Sequence, residues 1–266
     1  MEMWIARENA VELIEQSRRC TFTKYTKYER VLIYLPESGA LISRLLPRAY
    51  LQSKGVKPRD MTFGATANGK PYTESHDRKK PPGCVDPIAY NISHDHGMVV
   101  MACAPGKRNP PAYSLGVDVM KVGLRTKESF PLFVDVFSDQ MTALERELVL
   151  NVPVDEGLRR FFWIWTMKEA YTKALGVGLQ FDFNRLEFDM VNEVVRVDGQ
   201  PLEGWRFHRC SLDHPDGEYL LTIAEFVGGD GTVIVTGREP QPWLRTVDAV
   251  EFVKATITKL KDESLS

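Results

Sequence analysis

Apolar and polar positions along the chain recur with two different periods. Near residues 7–19 and 38–54 the apolar positions follow helical spacing. Residues 98–104 and 114–120 instead alternate as strands, and the connection from Pro105-Gly106 to Pro110-Pro111 predicts that they form an antiparallel pair. A loop is expected at 64–72 and a Lys/Pro-rich loop at 79–83. Beyond these, helices are predicted near 138–150 and 155–175, the second closed by Gly176 as a C-cap. Short strands follow at 185–190, 194–198, 205–210, 217–227 and 232–236, with an Asp198-Gly199 turn, and read as a meander. Residues 247–260 close the pattern as an amphipathic helix. Each half thus carries helices on an antiparallel sheet, an α+β layout compatible with duplication, although no residue-level repeat is visible.

Composition narrows the classes. With 266 residues, 43% of them hydrophobic, the chain can bury one large core or two modest ones. Thirty-four basic residues face 36 acidic ones, without a Lys/Arg block, so nothing suggests a nucleic-acid partner. No apolar run approaches the roughly 20 residues of a membrane span. The start, Met1-Glu2-Met3-Trp4, does not read as a secretory signal, so a cytoplasmic protein is expected. Cys20, Cys84, Cys103 and Cys210 lack zinc or disulfide spacing and predict free thiols.

Two segments carry chemistry. In the helix near 155–175, Trp165, Glu169 and Lys173 stand four residues apart and share a face that can hold a metal and a phosphate together. The plain alternative is a solvated Glu-Lys pair, which stabilises a helix by only about 0.2–0.5 kcal/mol. The apolar run Phe161–Trp165 argues that this helix is largely buried. In the strand near 114–120, Gly116, Asp118 and Met120 face one side and Val117 and Val119 the other. Aspartate is uncommon inside a strand; Asp118 is a strand-end cap, a hydrogen-bonded core acid or a functional carboxylate.

These motifs, taken in order, resemble a known family. Gly116-Val117-Asp118 followed by Trp165-x-x-Lys168-Glu169-Ala170-x-x-Lys173 is similar to the paired signature of the 4′-phosphopantetheinyl transferases, in their two-lobed class. Asn68-Gly69-Lys70-Pro71 resembles the family's Gly-Lys-Pro loop, and Asn91-Ile92-Ser93-His94 its Asn-x-Ser-His strand start. Residues 173–179 and 185–189 are especially similar to the animal cytosolic, aminoadipate-semialdehyde-dehydrogenase type.

The resemblance implies a pseudo-dimer of two similar lobes, 1–125 and 126–266, with the active site between them. It implies Mg²⁺-dependent transfer of phosphopantetheine from coenzyme A to a serine of an acyl or peptidyl carrier domain, by a monomer with no nucleic-acid or membrane partner. Clients of the family include fatty-acid, polyketide and peptide synthetases and aminoadipate reductase. Asp118 from one lobe and Glu169 from the other would hold the metal, Glu169 would also serve as base, and Lys173 would contact phosphate. Lys168 either reaches the coenzyme or is solvated. His94 with Ser93 and Asn91 would take the ribose 3′-phosphate, and Arg30 and the loop Thr66, Asn68, Gly69 and Lys70 the nucleotide; Lys24, Lys27 and Arg44 rival Arg30.

Three positions depart from the family pattern. Met120 and Met141 stand where many members carry acids, with Asp139 or Glu145 as substitutes for the second, and Ala65 replaces an arginine. A coenzyme A or nucleotide-binding module without transfer activity is the main alternative. A thiol acyltransferase using Cys103 or Cys84 with His94, and a zinc pair at His94 and His96, are weaker ones.

Overall fold

The computed structural model describes residues 30–34, 39–73, 88–105, 115–124, 129–177, 180–238 and 244–262. The helix expected at 7–19, the Lys/Pro-rich loop, Cys20, Cys84, Lys24 and Lys27 lie outside these residues. In chain order the described elements begin with β1 (Arg30–Tyr34), α1 (Gly39–Ser53), β2 (Phe63–Ala65), β3 (Pro71–Thr73), β4 (Ile88–Asp95), β5 (Met98–Pro105) and β6 (Leu115–Lys121). Next come α2 (Phe130–Val136), α3 (Ala143–Leu150), α4 (Val154–Leu175), β7 (Leu186–Asp189), β8 (Val194–Val197) and β9 (Gln200–Pro201). The chain continues with β10 (Trp205–His214), β11 (Gly217–Phe226), β12 (Val233–Arg238), β13 (Leu244–Val247) and α5 (Ala249–Asp262). The fold class is α+β, as expected. Among the described residues no helix is long and apolar enough to cross a membrane.

The chain divides into two units, residues 1–113 with 240–266, and residues 114–239. Unit 1 is a sheet in the order β13-β1-β5-β4-β3-β2. Its core joins Ile42 and Leu46 of α1 and Phe252 and Val253 of α5 to Tyr90, Val99, Met101 and Cys103. Unit 2 holds a sheet β12-β10-β11-β6 and a small sheet β7-β8-β9. There α4 buries Phe161, Ile164, Met167 and Ala170 against Phe207, Leu220 and Ala224, with Leu186 and Phe188 of β7. Both units follow one path: a strand, helix, then a hairpin whose second strand pairs antiparallel with the first strand. In unit 1 this is β1, α1 and β4-β5, and in unit 2 it is β6, α4 and β10-β11.

Several expectations change. The strands at 98–104 and 114–120 do not pair with each other: β5 joins β1 and β4, and β6 joins β11. The division accordingly falls at 113/114 and not at 125/126, because the backbone hydrogen bonds of β6 go to unit 2. The terminal segment returns to unit 1, where β13 runs parallel to β1. The meander is broken, since β12 pairs parallel with β10 across from β11. The helix expected at 138–150 begins later: Thr142 caps α3, accepting from the Glu145 amide at 3.3 Å while the Glu145 carboxylate accepts from the Thr142 amide at 2.9 Å. Gly176 does end α4, at φ 73°. Cys103 and Cys210 are buried.

Candidate functional site

The chemistry in unit 2 depends on how closely α4 lies on β6. A Cβ on Gly116 would stand 2.0 Å from the carbonyl oxygen of Ala170, so only glycine permits the approach. Ala170 and Ala174, both fully buried, supply the small surface opposite. Two residues along the same strand face, Asp118 is 4% exposed and accepts from Lys173 Nζ at 2.6 Å. Glu169, one turn before Lys173, is half-buried. Burial and then the Asp118 carboxylate push its pKa up, and Lys173 opposes them. The strand face thus brings Asp118, Glu169 and Lys173 into one electrostatic neighbourhood, entirely within unit 2. The placing of Asp118 and Glu169 in different lobes is therefore corrected.

A buried hydroxyl pair fixes the same contact from β11. Thr222, opposite Asp118 in the strand register, lies 2.9 Å from the Thr166 hydroxyl of α4. The Thr166 hydroxyl donates to the Trp163 carbonyl at 3.1 Å, so Thr222 is the donor between the two. Neither threonine was singled out from the sequence; the signal was a lone hydroxyl in the apolar run Leu220-Leu221-Thr222-Ile223-Ala224.

Lys168 does not belong to this constellation. It is 1% exposed, and its ammonium donates to Glu145 Oε2 at 2.6 Å and to the carbonyls of Gln140 and Phe183, each at 2.9 Å. All three N–H bonds are used, so its assignment to the coenzyme and its solvated alternative both fail. Burial pulls the Lys168 pKa down and Glu145 opposes that. Glu145 is in turn consumed by Lys168, Thr142 and the Phe188 amide, and cannot replace the acid missing at Met141. Met141 is a core residue and Asp139 is exposed. Trp165 also leaves the expected face: it packs on Phe137, Phe161 and Phe183. At 3.6 residues per turn, positions i and i+8 drift apart by about 80°.

Unit 1 gathers the other candidates. Thr66–Lys70 is the tight turn between β2 and β3. The Thr66 amide donates to the Lys70 carbonyl at 2.9 Å, the Gly69 amide to the Thr66 carbonyl at 2.8 Å and the Lys70 amide to Thr66 Oγ1 at 3.1 Å, with Gly69 at φ 79°. Tyr72 pairs with Ala89 antiparallel, so extending the register two residues places Lys70 level with Asn91. Both are buried, and burial lowers the Lys70 pKa to about 7. Asn68 and Gly69 are exposed. Asn91 and Ser93 face one side of β4, whereas His94 is exposed on the other. His96 sits at φ 49° in the turn after β4, 3.0 Å from Asp95, so the paired imidazoles of a zinc site do not form. Among the described residues no group of three or more His, Cys, Asp or Glu is placed to hold a metal. Arg30 opens β1. Arg44 is exposed on α1.

Residues 114–224 match the model of the 4′-phosphopantetheinyl transferase superfamily, and residues 6–106 match its N-terminal domain model. The 4′-phosphopantetheinyl transferase pptA of Paxillus involutus is 39% identical over 258 residues, covering 95% of this chain and 93% of its own. The chain belongs to the 4′-phosphopantetheinyl transferases. The human L-aminoadipate-semialdehyde dehydrogenase-phosphopantetheinyl transferase is 28% identical over 189 residues, 66% of this chain, which spans 58% of that enzyme. A phosphopantetheinyl transferase of Thraustochytrium is 28% identical over 204 residues, 72% of this chain and 65% of its own. Transferases of this superfamily use coenzyme A as donor and act on carrier proteins. The donor set in unit 2 suits a divalent cation: two carboxylates, with Glu169 raised by burial and then by Asp118, are the kind of partners Mg²⁺ takes alongside substrate phosphate oxygens and water.

Proposed function

We propose that this transferase moves 4′-phosphopantetheine from coenzyme A to the serine hydroxyl of an apo acyl or peptidyl carrier domain and releases adenosine 3′,5′-bisphosphate. The reading is carried by the convergence of Asp118, Glu169 and Lys173 on one face between β6 and α4. Asp118 and Glu169 would hold Mg²⁺, which when bound neutralises charge on the pyrophosphate. The serine oxygen forms a bond to the pantetheine-bearing phosphorus, and the bond from that phosphorus to the bridging oxygen of the nucleotide breaks. The departing bisphosphate keeps that electron pair, and the serine proton passes to Glu169. Burial and Asp118, by raising its proton affinity, favour that role. Lys173, on the last turn of α4, offers a point charge to the phosphates.

Coenzyme A's nucleotide and 3′-phosphate are assigned to unit 1. Lys70, level with Asn91 and on the face of Ser93, is a buried amine that a phosphate beside it would hold as the ammonium. Thr66, Asn68 and Gly69 form the turn, with its exposed tip, that leads into Lys70, and His94 and Arg30 are the further contacts. The enzyme is read as a cytoplasmic monomer. Its clients are carrier domains of fatty-acid, polyketide or peptide synthetases, or of aminoadipate reductase, the last suggested by the animal relatives' names.

Intact-mass spectrometry of an apo carrier incubated with the enzyme, coenzyme A and Mg²⁺ tests this. A gain of one phosphopantetheine, absent when the carrier serine is replaced by alanine, is expected. Coenzyme A binding with no gain on any carrier class would leave a binding module in its place.

A further inference from the structure

We propose that Lys173 is a placeholder for the cation: its ammonium occupies Asp118 until a phosphate draws it away, so cation and coenzyme A enter the site cooperatively. This rests on the assignment of Asp118 and Glu169 as cation ligands. Asp118 is nearly fully buried, so its carboxylate needs a counter-charge from the protein, and Lys173 Nζ provides it at 2.6 Å from Oδ1. Glu169 feels the same ammonium, which therefore serves two carboxylates at once.

A divalent ion arriving at the Asp118 carboxylate meets that ammonium on Oδ1, and two positive charges on one carboxylate repel strongly at such range. Lys173 is able to leave. Its side chain is 28% exposed, against 6% for Asp118, and its flexible four-carbon stem swings from the last turn of α4. Departure without a new anion strips the ammonium of its partner; the coenzyme A pyrophosphate is that anion. Cation binding and coenzyme A binding are thereby coupled, and coupling acts equally in both directions.

The test uses Mn²⁺ as the probe, with free ion followed by electron paramagnetic resonance, in the wild type, Lys173→Met and Lys173→Gln, each with and without coenzyme A. Without coenzyme A both variants should bind Mn²⁺ more tightly than the wild type, by a factor within the roughly 5–150-fold range of such couplings. Coenzyme A should then tighten Mn²⁺ binding less in the variants than in the wild type. Removing any nearby positive charge tightens a cation, so a variant that binds more tightly but keeps the full coenzyme A effect overturns the proposal. Folded variants with wild-type Mn²⁺ affinity overturn it as well; circular dichroism establishes folding, and two substitutions guard against one that misfolds. Asp118→Asn and Glu169→Gln keep the two ideas apart. If they retain wild-type Mn²⁺ binding, the ligand assignment itself fails, whereas if they lose it and the Lys173 variants do not differ from wild type, only the placeholder fails.

Discussion

A Cβ on Gly116 would stand 2.0 Å from the carbonyl oxygen of Ala170 and 2.4 Å from the amide nitrogen of Ala174. Both obstacles are helix backbone, so neither can rotate aside. Gly116→Ala is expected to force α4 off β6, to cost about 1–3 kcal/mol as an overpacked core does, and to separate Asp118 from Lys173 and Glu169. Urea unfolding together with single-turnover transfer checks this. Native stability with full transfer would mean that the close approach does not set the site.

Lys168 and Glu145 form a buried pair inside unit 2, away from the reacting groups. Lys168→Met leaves the Glu145 carboxylate without its ion partner and should cost about 3–5 kcal/mol. Coenzyme A affinity of the folded fraction should be unchanged, measured by calorimetry at low temperature. A large loss of affinity at near-native stability would return Lys168 to the coenzyme site.

Glu169 sits where its charged form is disfavoured. Its folded pKa is raised by burial and by Asp118, with Lys173 opposing, so its contribution to stability is full below the ordinary glutamate value and is lost as pH rises through the folded pKa. Glu169→Gln cannot ionise. Its thermal midpoint should therefore exceed the wild type's at neutral pH, and the gain should vanish below a pH of about 4.3, the ordinary glutamate value. Melting curves across pH decide it, and a variant less stable than wild type at pH 7 contradicts the electrostatic picture.

Lys70 should couple coenzyme A binding to protons. Its pKa, lowered by burial to about 7, leaves it largely neutral at alkaline pH in the free protein. A phosphate beside it favours the ammonium, so binding above pH 7 should take up a proton, and stability of the free protein should rise with pH from about 7 toward the ordinary lysine range. Calorimetry in buffers of different ionisation enthalpy reads the uptake. Lys70→Met should abolish it, whereas His94→Ala should weaken coenzyme A binding and leave it in place. Uptake that survives Lys70→Met places the phosphate elsewhere.

Helices α1, α4 and α5 and most of the described strands were legible in the sequence because period and punctuation are local. The C-cap at Gly176 and the acid in the strand at Asp118 are examples. Which strands pair was not legible: the proline-rich connection between β5 and β6 suggested a hairpin, but pairing is decided by the β11 edge, about a hundred residues on in the chain. Lys168 was misread because spacing places a side chain on a helix without revealing what fills the space opposite; its true partner was announced by Thr142-x-x-Glu145, a capping box whose acid serves twice. Trp165 left the face of Lys173 through accumulated helical drift, and Gly116 is fixed by the Ala170 carbonyl, which leaves no room for another residue.

Asp118 and Glu169 together are proposed to carry the transfer, and intact-mass spectrometry on site variants tests this most directly. Wild-type enzyme with coenzyme A, Mg²⁺ and an apo carrier should add one phosphopantetheine, and chelation should stop it. Asp118→Ala and Glu169→Gln, folded by circular dichroism, should add none on the same time scale. Transfer by either variant at the wild-type rate would contradict the account.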